Sequence, residues 1–221
     1  QFVVWFVDMA EAGVQTAAAR FLLEAAERGS QDAAARIADM FFHGQGVPQS
    51  FSESAKWYEI AATSGHLEAQ FKLAGMFECG WVRQSWPEAA MWYERAAAQG
   101  SALARGRLGS LYEWGWGVQQ NHAKAAEFFA EAAAQGNPEA QNDLGHLYEK
   151  GLGVQQSYSQ AIYWYMLASQ QGDIDALLNL GQLFECGRGV PRNFPEAQRF
   201  YAQAAARGSD EAESRLARIA T

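Results

Sequence analysis

The feature that most constrains this chain is a glycine that returns in register from one end to the other. Gly29, Gly65, Gly100, Gly136, Gly172 and Gly208 stand 36, 35, 36, 36 and 36 residues apart. Eight residues before each is an aromatic (Phe21, Trp57, Trp92, Phe128, Trp164, Phe200), followed by Leu22, Tyr58, Tyr93, Phe129, Tyr165 and Tyr201. A second series, Gly44, Gly80, Gly115, Gly151 and Gly187, interleaves with the first. A period of this length marks an array of stacked supersecondary units, because one such unit cannot bury its own apolar face and must lean on its neighbours.

Each period reads as two short helices. In one copy the first helix runs from Pro138 to about Lys150, with Ala140, Leu144, Leu147 and Tyr148 on one face at helical spacing. Asn137 caps it, Pro138 suits the first helical position, and Gly151 supplies a left-handed terminus. The second helix runs from about Ser159 to Gln171, with Gly172 after it. Composition agrees, since 42 alanines and five prolines among 221 residues favour helix over strand. The prolines fall where helices start (Pro87, Pro138, Pro195) or in loops (Pro48, Pro191). Gly109, Gly145 and Gly181, with Ala74 at the equivalent place, predict a partner helix too close for a larger side chain. The Trp/Tyr pairs are expected to fill the space between hairpins.

The expected architecture is therefore all-α, about six helix-turn-helix repeats of 36 residues. Residues 1–16 form an atypical apolar segment holding part of a repeat, residues 17–208 the array, and residues 209–221 a capping helix patterned on Ala212, Leu216 and Ile219. A start at Gln1 reads as a processed chain or a fragment, and residues 2–7 (FVVWFV) lack the basic region and length of a secretory signal. With 17 Lys and Arg against 25 Asp and Glu, the net charge of −8 disfavours nucleic acid as a partner. No run approaches the ~18 apolar residues of a membrane span. Cys79 and Cys186 occupy the same repeat position three units apart, too far along a stack to bond, and read as free thiols.

The residues of one unit resemble a known family. Gln141, Leu144-Gly145, Leu147-Tyr148, Gly151, Gly153-Val154, Ala161, Trp164-Tyr165 and Gln171-Gly172 are similar to the Sel-one-like repeat (SLR), a relative of the tetratricopeptide repeat. The resemblance spans roughly residues 17–221; the second unit departs from it, because Gly80-Trp81-Val82 lacks the second glycine and is one residue short. The resemblance implies a right-handed α-α superhelix that binds other proteins and catalyses nothing itself. Bacterial members are often exported, so the bacterial periplasm is the expected compartment, with the cytoplasm as the alternative. A cysteine-rich branch is associated with β-lactam binding, but this chain has alanine where that branch has cysteine pairs, and no Ser-x-x-Lys.

Catalytic and cofactor readings fail on their own terms. The Gly-x-Gly pairs recur with the repeat and lack both the preceding strand and the third glycine of a dinucleotide site. His43, His66, His122 and His146 occupy four different repeat positions, so no metal cluster is expected. The chain is thus expected to be no enzyme, with no cofactor.

The resemblance implies that the first helices line the concave side, and at about 100° per residue the arc opposite their apolar face is the one turned toward it. One column there runs Glu78, Glu113, Glu149, Glu185 and reads equally as a solvated or capping feature and as a recognition feature. Phe71, Trp114 and Leu178 are bulky groups the repeat does not require, and exposed aromatics in a groove are typical binding anchors. Phe71, Arg107, Trp114, Asn142, His146 and Leu178 are the expected protein-binding residues, the competing reading for the bulky three being burial against a neighbouring unit. The expected function is a scaffold or adaptor gripping a peptide or partner protein. The alternative is a structural subunit of a larger assembly docked through residues 2–7, which would meet a membrane only through a partner or that anchor.

Overall fold

The computed structural model describes residues 16–219. Among the described residues there are twelve helices and no strand. They are α1 (Ala17–Glu27), α2 (Gln31–His43), α3 (Phe51–Thr63), α4 (Leu67–Cys79), α5 (Trp86–Ala98), α6 (Ala102–Trp114), α7 (His122–Ala134), α8 (Pro138–Lys150), α9 (Tyr158–Gln170), α10 (Ile174–Cys186), α11 (Phe194–Ala205) and α12 (Asp210–Ile219). The even-numbered helices are the first, and the odd-numbered the second, helices of the 36-residue period. The fold class is thus the all-α repeat expected from the glycine register. Residues 2–7, which carry the expected docking segment, lie outside the described residues.

Local chemistry sets the boundaries. Ser30, His66, Asn137 and Asp173 cap α2, α4, α8 and α10 by accepting from the amides of Ala33, Ala69, Ala140 and Ala176. These helices end on Gly44, Gly80, Gly151 and Gly187, with φ between 68° and 72°, a conformation disfavoured for residues bearing a Cβ. Ser50, Asn121, Ser157 and Asn193 cap α3, α7, α9 and α11 in the same way. Pro87, Pro138 and Pro195 all fall in the first turn of a helix.

The chain divides into two compact units, one ending at Ala104 but including Trp116–Val118, the other comprising Arg105–Gly115 and the residues from Gln119 onward. In the second unit, a Cβ at Gly109 would lie 2.5 Å from the ring of Phe129, at Gly145 2.7 Å from that of Tyr165, and at Gly181 2.4 Å from that of Tyr201. The close approach read from the glycines is real, and it places the second aromatic of each pair inside its own hairpin rather than between hairpins. Absence of a side chain on the first helix makes the space that the ring fills. Trp164 packs in part against the core that α8 shares with α7 of the preceding hairpin. In the first unit Tyr58 and Tyr93 are buried likewise.

The family-like glutamines have a structural role in both units. Buried Gln70 donates to the Ala62 carbonyl and accepts from Gln99, and buried Gln141 donates to the Ala133 carbonyl and accepts from Gln171. Each such chain satisfies buried polar groups between one hairpin and the next. In the second unit Ala212 of α12 is fully buried, with Leu216 and Ile219 packed on the same core.

Candidate functional site

The first helices of the second unit present a groove of about 340 Å³. Helix α6 supplies Ser110, Glu113 and Trp114; α8 supplies Asn142, Asp143 and His146; α10 supplies Asp175, Leu178, Asn179 and Gln182; and α12 supplies Glu211 and Arg215. All lie opposite the face that carries Leu108, Leu111, Leu144, Leu147, Leu180 and Leu183 into the core. The 3.6-residue period thus sorts each helix into a buried stripe and a groove stripe.

Four of the six residues expected from sequence line this groove: Trp114, Asn142, His146 and Leu178. Trp114 is 59% exposed, whereas Leu178 is half-buried against the core of α9–α12. Arg107 is exposed on α6 and does not line the groove. Phe71 belongs to the first unit, where it is half-buried with its ring 5.5 Å from that of Tyr93. Asn142 accepts from Asn179 at 3.0 Å and donates to Asp143 at 3.3 Å, a short polar rung from α8 to α10. Burial, then the neighbouring Lys150, hold the His146 imidazole below its usual pKa.

The glutamate column is neither solvated nor a capping device. Tyr93 donates its hydroxyl to Glu78, Tyr165 to Glu149 at 3.1 Å, and Tyr201 to Glu185 at 2.7 Å. Each glutamate satisfies the hydroxyl of the tyrosine packed in its own hairpin. Burial opposes ionisation of Glu185, but hydrogen bonds from Tyr201 and Arg218 outweigh it and keep the carboxyl below the usual range. The same pattern has a variant in the first unit, where Phe42 replaces the glutamate and Tyr58 donates instead to Asp39, which also holds Lys72 at 2.7 Å.

Glu113 breaks this pattern. Its hairpin partner is Phe129, which has no hydroxyl, and among the described residues no side chain donates a hydrogen bond to the Glu113 carboxylate. The residue is nine-tenths buried, at 9% exposure, and burial raises its pKa against the opposing influence of His122. Asp143 lines the groove with it, at the repeat position that Lys72 occupies in the first unit. Burial and then the charge of Glu113 push the Asp143 carboxyl up to about 7, against the hydrogen bond from Asn142. Among the described residues, Arg215 is the one lysine or arginine lining the groove, and it is engaged with Glu211 at 2.8 Å, the Tyr201 hydroxyl at 3.2 Å and Glu185 at 3.8 Å.

Sequence reasoning placed Glu113 on this arc without separating it from the other glutamates of its column, and it did not single out Asp143 or Asp175. The signal for the first was available: Phe129 stands in a column where Tyr93, Tyr165 and Tyr201 each have a glutamate to satisfy. No group of three or more His, Cys, Asp and Glu side chains among the described residues is arranged to hold a metal ion. Cys79 and Cys186 are exposed free thiols, and no described helix is long and apolar enough to cross a membrane.

Comparison with known proteins agrees with this architecture. The model of the Sel1 repeat matches residues 31–66, 67–101, 102–137, 138–173 and 174–209. Among solved structures the chain is similar to c5321, a protective antigen present in uropathogenic Escherichia coli strains and displaying an SLR fold. That similarity has 30% identity and a TM-score of 0.87 over 91% of this chain, which spans 43% of the c5321 chain. It is also similar to a Sel1 repeat protein from Oxalobacter formigenes, with 30% identity and a TM-score of 0.82 over 87% of this chain and 77% of that one. No curated protein matches the sequence.

Proposed function

We propose that this chain, which belongs to the Sel1 repeat family, is a non-catalytic scaffold that holds a peptide or a segment of a partner protein in the groove lined by α6, α8, α10 and α12. Sel1 repeat proteins are generally protein–protein interaction scaffolds. The observation that supports the groove as the binding surface is Trp114, a large ring 59% exposed at the edge of a recess whose other walls are mostly polar. A large ring that keeps more than half of its surface exposed at a recess can gain burial from a ligand, and such aromatics dominate binding energy at interfaces. Asn142, His146 and Leu178 then fix the position of the bound segment.

The test is a binding comparison of two surface variants. Trp114→Ala should weaken partner capture about tenfold or more, as expected for loss of an anchor worth ~2 kcal/mol, and leave the helical fold intact. Glu127→Arg, on an exposed part of α7, should bind normally. The opposite pattern would place recognition on the second-helix face and end the groove assignment.

A further inference from the structure

The proposed groove contains a charge arrangement that its own side chains leave incomplete. Three tyrosines satisfy three glutamates of the repeat column, but at the fourth, Glu113, a phenylalanine removes the donor. In the first unit the position equivalent to Asp143 is Lys72, and it neutralises Asp39. In the second unit an aspartate stands there, so Glu113, a residue 9% exposed whose carboxylate receives no side-chain hydrogen bond and is opposed only by the charge of His122, shares the groove with a second carboxylate. Arg215 is held by Glu211, Glu185 and Tyr201. The exposed ring of Trp114 lies on the same stretch of α6 as Glu113, and an indole face attracts cations.

We propose that the groove receives one basic side chain, a lysine or arginine of a bound peptide segment, whose charge is taken by Glu113 and Asp143 with Trp114 alongside. The inference rests on the groove reading above and names the chemistry it would recognise. Burial makes the charged form of Glu113 costly in the free protein, and there the charge of His122 is what offsets it. A guanidinium or ammonium donates to carboxylates through short, charge-assisted bonds, and the groove volume of about 340 Å³ accommodates such a side chain. Burial disfavours the ionised form of both acids, the charge of Glu113 disfavours that of Asp143 further, and a cation beside them offsets that repulsion. Asp175 and Glu211 add negative potential at the same opening.

The experiment is selection of a random peptide display library on the full chain. One selected peptide is then synthesised and titrated by calorimetry, together with a copy carrying norleucine or citrulline in place of its basic residue. The titration is repeated with Glu113→Gln, Phe129→Tyr and Trp114→Ala. Phe129→Tyr is compatible with the fold, because Tyr165 and Tyr201 sit over Gly145 and Gly181 as Phe129 sits over Gly109. It offers Glu113 the hydroxyl that the other repeats have. The expected result is a lysine or arginine common to the selected peptides, and about tenfold weaker binding after its replacement, in Glu113→Gln and in Phe129→Tyr. Peptides that require Trp114 but lack a basic residue, or bind both Glu113→Gln and Phe129→Tyr as they bind the original chain, would overturn the cation assignment and leave the groove reading standing. Failure to select any peptide, or binding indifferent to Trp114→Ala, would overturn both.

Discussion

Replacing Asp143 with asparagine should make the protein more stable, by an amount that grows with pH. Its carboxyl is raised from the ordinary 3.8 to about 7, first by burial and then by the charge of Glu113. Each pKa unit corresponds to about 1.4 kcal/mol, so ionising this group in the folded chain costs about 4 kcal/mol more than in the unfolded chain. Because the folded pKa lies above the unfolded one, the folded state binds more protons between about pH 4 and pH 7. Stability contributed by this group is therefore complete below pH 4, falls as pH rises through that window, and is lost above pH 7. Asparagine keeps the shape and the acceptor for Asn142 but never ionises. Relaxation and water around the ionised group lower the full cost, so the net gain above pH 7 should be about 2–4 kcal/mol. Urea unfolding of both proteins, followed by helical circular dichroism at pH 4.5, 6 and 8, measures it. At pH 4.5, where the unfolded carboxyl is already largely ionised, the variant should lead by only about 1 kcal/mol, and at pH 8 it should unfold at clearly higher urea. A difference in stability that stays constant across that range would refute the reasoning, since uncharged effects of the substitution do not titrate.

Other expected outcomes follow from burial. Trp92 is 4% exposed with the Arg95 guanidinium 4.4 Å from its ring, and Trp92→Ala should cost ~3–5 kcal/mol; an unchanged thermal transition would show that the ring carries no packing. Cys79 and Cys186 are both exposed, so the native, unreduced protein should titrate two thiols with a colorimetric disulfide reagent, and finding none in a monomer would mean that they are oxidised.

Most of the architecture was readable in the chain because repetition multiplies weak local signals. A single Gly151 says little, but the same left-handed terminus in Gly44, Gly80 and Gly187 leaves one interpretation. Helix ends depend on caps and backbone conformation within a few residues, so Asn137, Pro138 and Gly151 placed α8 to the residue. The groove stripe was legible for the same reason, since a fixed 3.6-residue turn assigns each side chain a direction, and Trp114, Asn142, His146 and Leu178 do meet in one recess. What periodicity leaves open is which partner a side chain finds on another helix. It treated Phe71 as equivalent to Trp114, although Phe71 rests against Tyr93 while Trp114 stays exposed. It also sent the tyrosines between hairpins, when the space left by Gly145 and Gly181 holds them within. The glutamate column had no fixed meaning until each hydroxyl could be seen to end on its carboxylate, 15 or 16 residues earlier in the chain. Hydrogen bonding and desolvation depend on distances between helices, and those arise only when the hairpins close. Only at that level does Glu113 differ from the other three.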